Sequence, residues 1–421
     1  MMKYYAAIFA LFIAEITNAQ STRLSREADS LYKAKEWLNA GARYQLAADS
    51  LAGFLNPKQF YYNAASSYAL GNDIEKAFVT LEKAVYGLGY RNYDQMTSDA
   101  DLASLRKDPR WKPLVDHLKK QRDAMKEPRN ARVVTSDIHN FWKAYDLALE
   151  DTANRESIFL KHYFEKASPG LKDYFSYKIG NIPAFVNNQR KKPKFYAAIR
   201  ENTLRVDQLK DSMYAYFDKL KSLYDDAVFP DMYFMIGRWN SAGTVSDVGL
   251  LLGVDQIART PDIPQDELSL WEKNNFNDFS QLPTIAMHEQ IHFQQTKLNW
   301  DTTLLANALV EGMADFICEL VTGKNPSQRQ HIFAATRKKE IWERFKKEMY
   351  LNRAYNWIAN SAQETPDHPA DLGYYVGYEI CKAYYDQAKN KKKAIKELLE
   401  FKSAKTILKK SRYDEMMSKL P

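Results

Sequence analysis

The chain of 421 residues is 45% hydrophobic and 27% charged, with a formal net charge of +7. That is an ordinary globular composition, long enough for two or three domains and a sizeable core. The local basic runs, residues 190–194 and 389–393, lack the interleaved aromatics of a nucleic-acid platform. They read as solvated loops or helix ends, and no nucleic-acid partner is expected.

At the N-terminus, Lys3 precedes the apolar run Tyr4–Ala14, and Thr17-Asn18-Ala19 closes it. A charged start, a short apolar core and a small residue at the end predict a signal peptide over residues 1–19. The run is too short for an ordinary spanning helix. The mature chain is therefore expected to be exported (periplasmic, cell-surface or secreted), with no transmembrane segment after cleavage. No Cys follows the run, which speaks against a lipid anchor of the bacterial type.

Residues 20–126 read as all helix. Trp37, Ala40, Tyr44 and Ala47 recur 37 positions later as Ile74, Ala77, Leu81 and Ala84. A helix–turn–helix repeat with small residues at its close contacts produces such a pattern. It resembles tetratricopeptide repeats, with Leu55-Asn56-Pro57-Lys58 in the link and Tyr61, Ala64, Ala65 and Tyr68 on the next helix. The resemblance implies either a docking surface for a protein partner or a structural cap.

Glu127-Pro128-Arg129-Asn130 marks a boundary. Beyond it, Ser136-Asp137 is placed to cap a helix carrying Ile138, Phe141, Trp142, Tyr145 and Leu149, and further helices break at Ser168-Pro169-Gly170. His139 and His162 read as core or surface residues. Val228-Phe229-Pro230, Tyr233–Ile236 and Val248–Val254 are short, β-rich and Gly-punctuated, which predicts two or three strands.

Residues 284–293 contain H-E-x-x-H. On a helix, residues four apart share a face, so His288 and His292 would offer two imidazoles to one zinc ion. Glu289 is placed to accept a proton from a metal-bound water. Ser280 is a candidate cap, Pro283 suits the first turn, and Leu282, Ile285, Ala286 and Phe293 recur at helical spacing. A second helix, Leu304–Val321, opens at Thr302 or Thr303 and closes at Gly323. Glu311 and Asp315 share one of its faces. A zinc ion on two His needs a third protein ligand, and Glu311 is the best-placed carboxylate. Asp315, one turn on, would take the other ring N–H of a ligating His and fix its tautomer. The competing reading makes these two acids a solvated face.

Arg337–Trp357 predicts a long charged helix, and the run from Lys391 a basic amphipathic one. Asp371 is placed to cap a helix containing Gly373 and Gly377, whose spacing allows close approach of another helix. A hydrolytic zinc site needs a donor for the developing oxyanion; Tyr374, Tyr378 and His368 are the candidates, Tyr374 foremost. Cys318 and Cys381 fall within predicted helices and read as small buried hydrophobes.

His288-Glu289-x-x-His292 with Glu311-Gly312-x-x-Asp315 resembles the gluzincin arrangement of zinc metallopeptidases. More closely it is similar to bacterial families of predicted Zn-dependent proteases and to gliding-motility lipoproteins. Those families also carry a Gly-Tyr-rich helix, which Gly373-Tyr374-Tyr375-Val376-Gly377-Tyr378 matches. The resemblance implies a mainly α (α+β) fold: a helical-repeat region over 20–126, then a mostly helical zincin-like metallopeptidase domain over 127–421 with a small sheet. It further implies an extended substrate laid along the sheet edge. The expected activity is a zinc-dependent metallopeptidase acting on a peptide or protein. In it, Zn²⁺ is held by His288, His292 and Glu311, Glu289 is the general base, Tyr374 the oxyanion donor and Asp315 the support. The rival is a non-catalytic binding or assembly protein with a metalloprotease-like fold and helical repeats.

Overall fold

A computed structural model describes residues 20–51, 53–298 and 301–420; the expected signal peptide lies outside them. The protein is mainly helical with one four-stranded sheet, an α+β composition as the sequence predicts. It forms two compact units. One is drawn from residues up to Pro193 and Pro230–Asp255, the other from Lys194–Phe229 and Gln256–Pro421.

In the first unit a helix over 20–33 and α1 (Trp37–Asp49), then α2 (Lys58–Leu70) and α3 (Ile74–Glu82), make two helix–turn–helix pairs. Asp73 caps α3 by accepting from the Lys76 N–H. The 37-residue recurrence is the inner surface of these pairs: Ala40, Ala77, Leu81 and Ala84 are fully buried, with Tyr61, Ala64, Ala65 and Tyr68 of α2 in the same core. Small residues there permit close approach; a Cβ on Gly41 would strike the Tyr68 ring. At the start of α2, Lys58 is buried with its ammonium 2.8 Å from Asp173 and 2.5 Å from Asp247.

Helix α4 (Ser136–Glu150) differs from expectation at its first turn. Asp137 does not cap it. The side chain turns inward, fully buried, and accepts from the backbone N–H and hydroxyl of Ser168. Burial pushes its carboxyl up to about 6, against the hydrogen bonds from Ser168. The sheet comprises β1 (Val133–Val134), β2 (Asp231–Met235), β3 (Gly243–Ser246) and β4 (Gly249–Gly253) in the order β1-β2-β4-β3. The first three positions in that order run parallel, and β3 lies antiparallel to β4. Sequence reading missed β1 because two residues carry no alternation. Val228-Phe229-Pro230, expected as a strand, is irregular.

The second unit contains α5 (Leu282–Gln294), α6 (Leu304–Thr322) and α7 (Leu372–Gln387). Thr303 caps α6 through the Ala306 N–H, and Gly323 ends it with φ 73°. The expected helix Arg337–Trp357 is shorter, Lys338–Glu348. Its follow-on residues turn so that the Met349 and Leu351 carbonyls accept from Leu305 and Leu304 N–H, which satisfies two of the open donors at the start of α6. The basic terminal run breaks into Lys391–Leu399, Ala404–Ser411 and Tyr413–Ser418. Asp371, at φ 62°, gives α7 no side-chain cap and accepts from Ala359 N–H instead. Helices α6 and α7 cross at Gly312 and Gly377. A Cβ on the first would strike the backbone of Gly377 and Tyr378, and a Cβ on the second that of Ala308. Gly373 faces Trp357 and Ile358 rather than a helix. Cys318 and Cys381 are free and buried. No helix of the described residues is long and apolar enough to cross a membrane.

Candidate metal centre

Helix α5 is buried all along residues 282–291, not only on one stripe. The lead-in differs from the expected Ser280 cap: Asp278 and Gln281 form a capping box on a short turn, and Pro283 sits in the first turn of α5. Two glutamines then clamp the helix to the segment before the sheet. Gln290 and Gln294 Nε2 both donate to the Val228 carbonyl, and Gln294 Oε1 accepts from the Val228 N–H at 2.9 Å. These contacts replace the strand pairing expected of Val228.

The predicted ligands come together. His288, His292 and Glu311 each offer one atom to a cluster spanning no more than 4.8 Å, the single such group of three among the described residues. The Nε2 atoms of the two imidazoles are 3.0 Å apart, and Glu311 Oε2 lies 3.1 Å from His292 Nε2 and 3.7 Å from His288 Nε2. Metal bonds of about 2.0–2.1 Å at tetrahedral angles put neighbouring donor atoms roughly 3.3 Å apart, so the triangle has the size of a zinc site.

The protonation pattern agrees. His288 Nδ1 is 2.8 Å from Oδ1 of the fully buried Asp315, as predicted. His292 Nδ1 is 2.9 Å from Gln295 Oε1, whose Nε2 donates to the Val310 carbonyl. Both outer partners are acceptors, so both Nδ1 atoms carry hydrogen, and in the neutral imidazoles both Nε2 lone pairs point inward. Two lone pairs and a carboxylate oxygen in mutual contact repel unless a cation lies among them. A proton relieves the same crowding in place of a metal ion: burial disfavours charge on every member, yet the Glu311 carboxyl is held below its usual range by the two imidazoles, and both imidazoles are raised by the carboxylates beside them.

Glu289 is buried at 7% exposure, and its charge acts on both imidazoles. The Tyr374 ring stacks on His288 with centroids 6.2 Å apart, and its hydroxyl favours the ionised form of the Glu311 carboxyl. The other two donor candidates lie against different partners: Tyr378 packs on Phe316 and His331, and His368 on Phe333. Sequence reasoning missed Ser327, whose hydroxyl donates to the second Asp315 oxygen. A lone Ser after a helix carries no signal of that contact. The strands assigned to substrate binding belong to the first unit, whereas every residue of this cluster belongs to the second.

Fold and cluster together define a mainly helical protein with a partly buried His–His–carboxylate centre shared by two helices. The chain belongs to the family described as Gliding motility protein GldB, whose profile matches residues 119–415, more than two thirds of the chain and all of the cluster. No curated protein and no solved structure matches. Membership places the chain outside the cytoplasm, in the cell envelope, in keeping with the expected export. It also corrects the expected activity. The family is one of gliding motility and not of peptide hydrolysis, so the reading as a zinc metallopeptidase with Glu289 as general base does not stand. H-E-x-x-H dictates where two imidazoles point, and that geometry serves a fixed metal centre as well as a hydrolytic one.

Proposed function

We propose that the protein is a non-catalytic binding and assembly component of a gliding-motility apparatus, and that His288, His292 and Glu311 hold Zn²⁺ as a structural centre. The family match over residues 119–415 carries the first half. The facing Nε2 lone pairs, 3.0 Å apart with Glu311 beside them, support the second. A bound divalent cation would supply a fixed cross-link between α5 and α6. Asp315 and Gln295 orient the imidazoles, and Tyr374 steadies Glu311 in place of the oxyanion role the sequence suggested for it. The protein partner is assigned to the helix pairs of the first unit, which leave Leu38, Leu46, Val79 and Tyr86 about half exposed or more. Exposed apolar side chains of this size on a helical array fit a docking surface.

Two measurements test this reading. Metal analysis of purified full-length chain is expected to give about one zinc per chain, lost in His292→Ala. Glu289→Gln is expected to keep its zinc and to restore gliding in a strain lacking the gene. A Glu289→Gln chain that is folded and zinc-loaded yet fails to restore gliding would refute the non-catalytic assignment.

A further inference from the structure

We propose that the C-terminal helices of the second unit form a face that docks on anionic lipid headgroups. Residues 389–421 hold eleven Lys or Arg and four Asp or Glu, while the preceding 388 residues hold 49 of each. The whole net charge of +7 therefore resides in the last 33 residues.

The internal pairing makes this charge available. All four acids of the stretch are engaged by a cation of the protein: Glu397 by Lys393, Glu400 by Lys297, Asp414 by Lys346 and Glu415 by Arg412. Lys392 and Lys396 are met by Asp225 and Asp226. Lys405, Lys409 and Lys410 have no carboxylate within ion-pair distance among the described residues. These three share the exposed face of the helix Ala404–Ser411, whose other face, Ala404, Ile407, Leu408 and Ser411, is buried. The helix is thus anchored by its apolar side and turns only ammonium groups and Thr406 outward.

Exposed apolar groups stand next to them. The Lys405 ammonium lies 4.7 Å from the centroid of the Tyr350 ring; Tyr350 is 48% and Leu351 40% exposed. A tyrosine with an apolar neighbour among lysines has the make-up of an interfacial patch. The ring settles at headgroup level while the ammonium groups gain from a negative surface potential. Charge complementarity selects an anionic surface, and the cell-envelope location sets a membrane beside the protein.

The test is sedimentation of the full chain with vesicles of phosphatidylcholine, with and without one-quarter phosphatidylglycerol, across a salt series. Wild type is expected to bind only the anionic vesicles, less tightly as salt rises. Each lysine near the surface is worth roughly a fivefold change in partitioning, so Lys405→Glu/Lys409→Glu/Lys410→Glu should lower binding at least about a hundredfold. Tyr350→Ser should lower it several-fold with the salt dependence unchanged. All four positions are exposed, and unchanged circular dichroism confirms the variants fold. Equal binding to both vesicle types, or an unchanged triple variant, would overturn the proposal. So would absence of binding at low salt, which would leave the same lysines to an acidic protein.

Discussion

Gly312→Ala isolates the α6–α7 crossing and separates two opposing effects. In an exposed helix the substitution would stabilise by about 1 kcal/mol, because alanine is the better helix former. Here the added Cβ falls within 3.0 Å of the backbone of Gly377 and Tyr378. Backbone has no rotamer by which to move aside, so the helices must part. Overpacking costs typically about 1–3 kcal/mol, and contact with main chain puts this site at the upper end. The net expectation is a loss of about 2 kcal/mol. Glu311 is the preceding residue on α6, so the displacement carries the proposed zinc donor with it. A drop of about tenfold in zinc affinity should accompany the lost stability. Urea unfolding gives the first quantity and chelator competition the second. Gly87→Ala, where the nearest neighbour of a new Cβ is the Lys83 side chain at 3.9 Å, is the control and should be neutral or slightly stabilising. A Gly312→Ala chain as stable as wild type would refute the close crossing.

Three further outcomes follow from buried groups. Lys58→Met strips the one cation that pairs, among the described residues, with Asp173 and Asp247, whose side chains are no more than 9% exposed, and should cost about 3–5 kcal/mol in urea unfolding. Asp137 has a folded value near 6, raised above its ordinary value of 3.8. The folded state therefore favours its neutral form; the contribution is full below about pH 4 and is lost as pH rises through 6. Asp137→Asn can keep both contacts to Ser168, so relative to it wild type should lose up to about 3 kcal/mol between pH 4 and 7, read as thermal midpoints across that range; parallel profiles would contradict this. Asp315→Ala should lower zinc affinity about 10–100-fold, because His288 loses the acceptor that fixes its tautomer; an unchanged affinity would remove Asp315 from the site.

The cluster was legible because its members obey one period. His288 and His292, then Glu311 and Asp315, are each four apart on a helix whose ends carry recognisable signals, Thr303 and Gly323 among them. The clamps around it were not legible. Gln290 and Gln294 have the spacing of a polar surface stripe, yet both are buried against Val228. Periodicity reports contrast between faces, and a helix enclosed on all sides has none. Asp137 and Asp371 failed for a related reason: an acid at a helix start reads as a cap, and only the tertiary contacts turn one to Ser168 and the other to Ala359. The activity was misread one level higher, since the motif specifies ligand geometry and leaves open what that geometry is for.

The path of the chain has a consequence for dissecting this protein. It leaves the first unit after Pro193, returns at Pro230 and leaves again after Asp255. The parallel pair β1–β2 joins Val133-Val134 to Met232-Tyr233 across that excursion, and Arg132 binds Asp231 beside it. A fragment ending before residue 230 would lack three of the four strands, and one beginning after 135 would lack the fourth. Neither unit can be expressed as a single uninterrupted piece of gene. Separating the roles of its two units therefore calls for point substitutions, or for a permuted chain that rejoins Pro193 directly to Pro230.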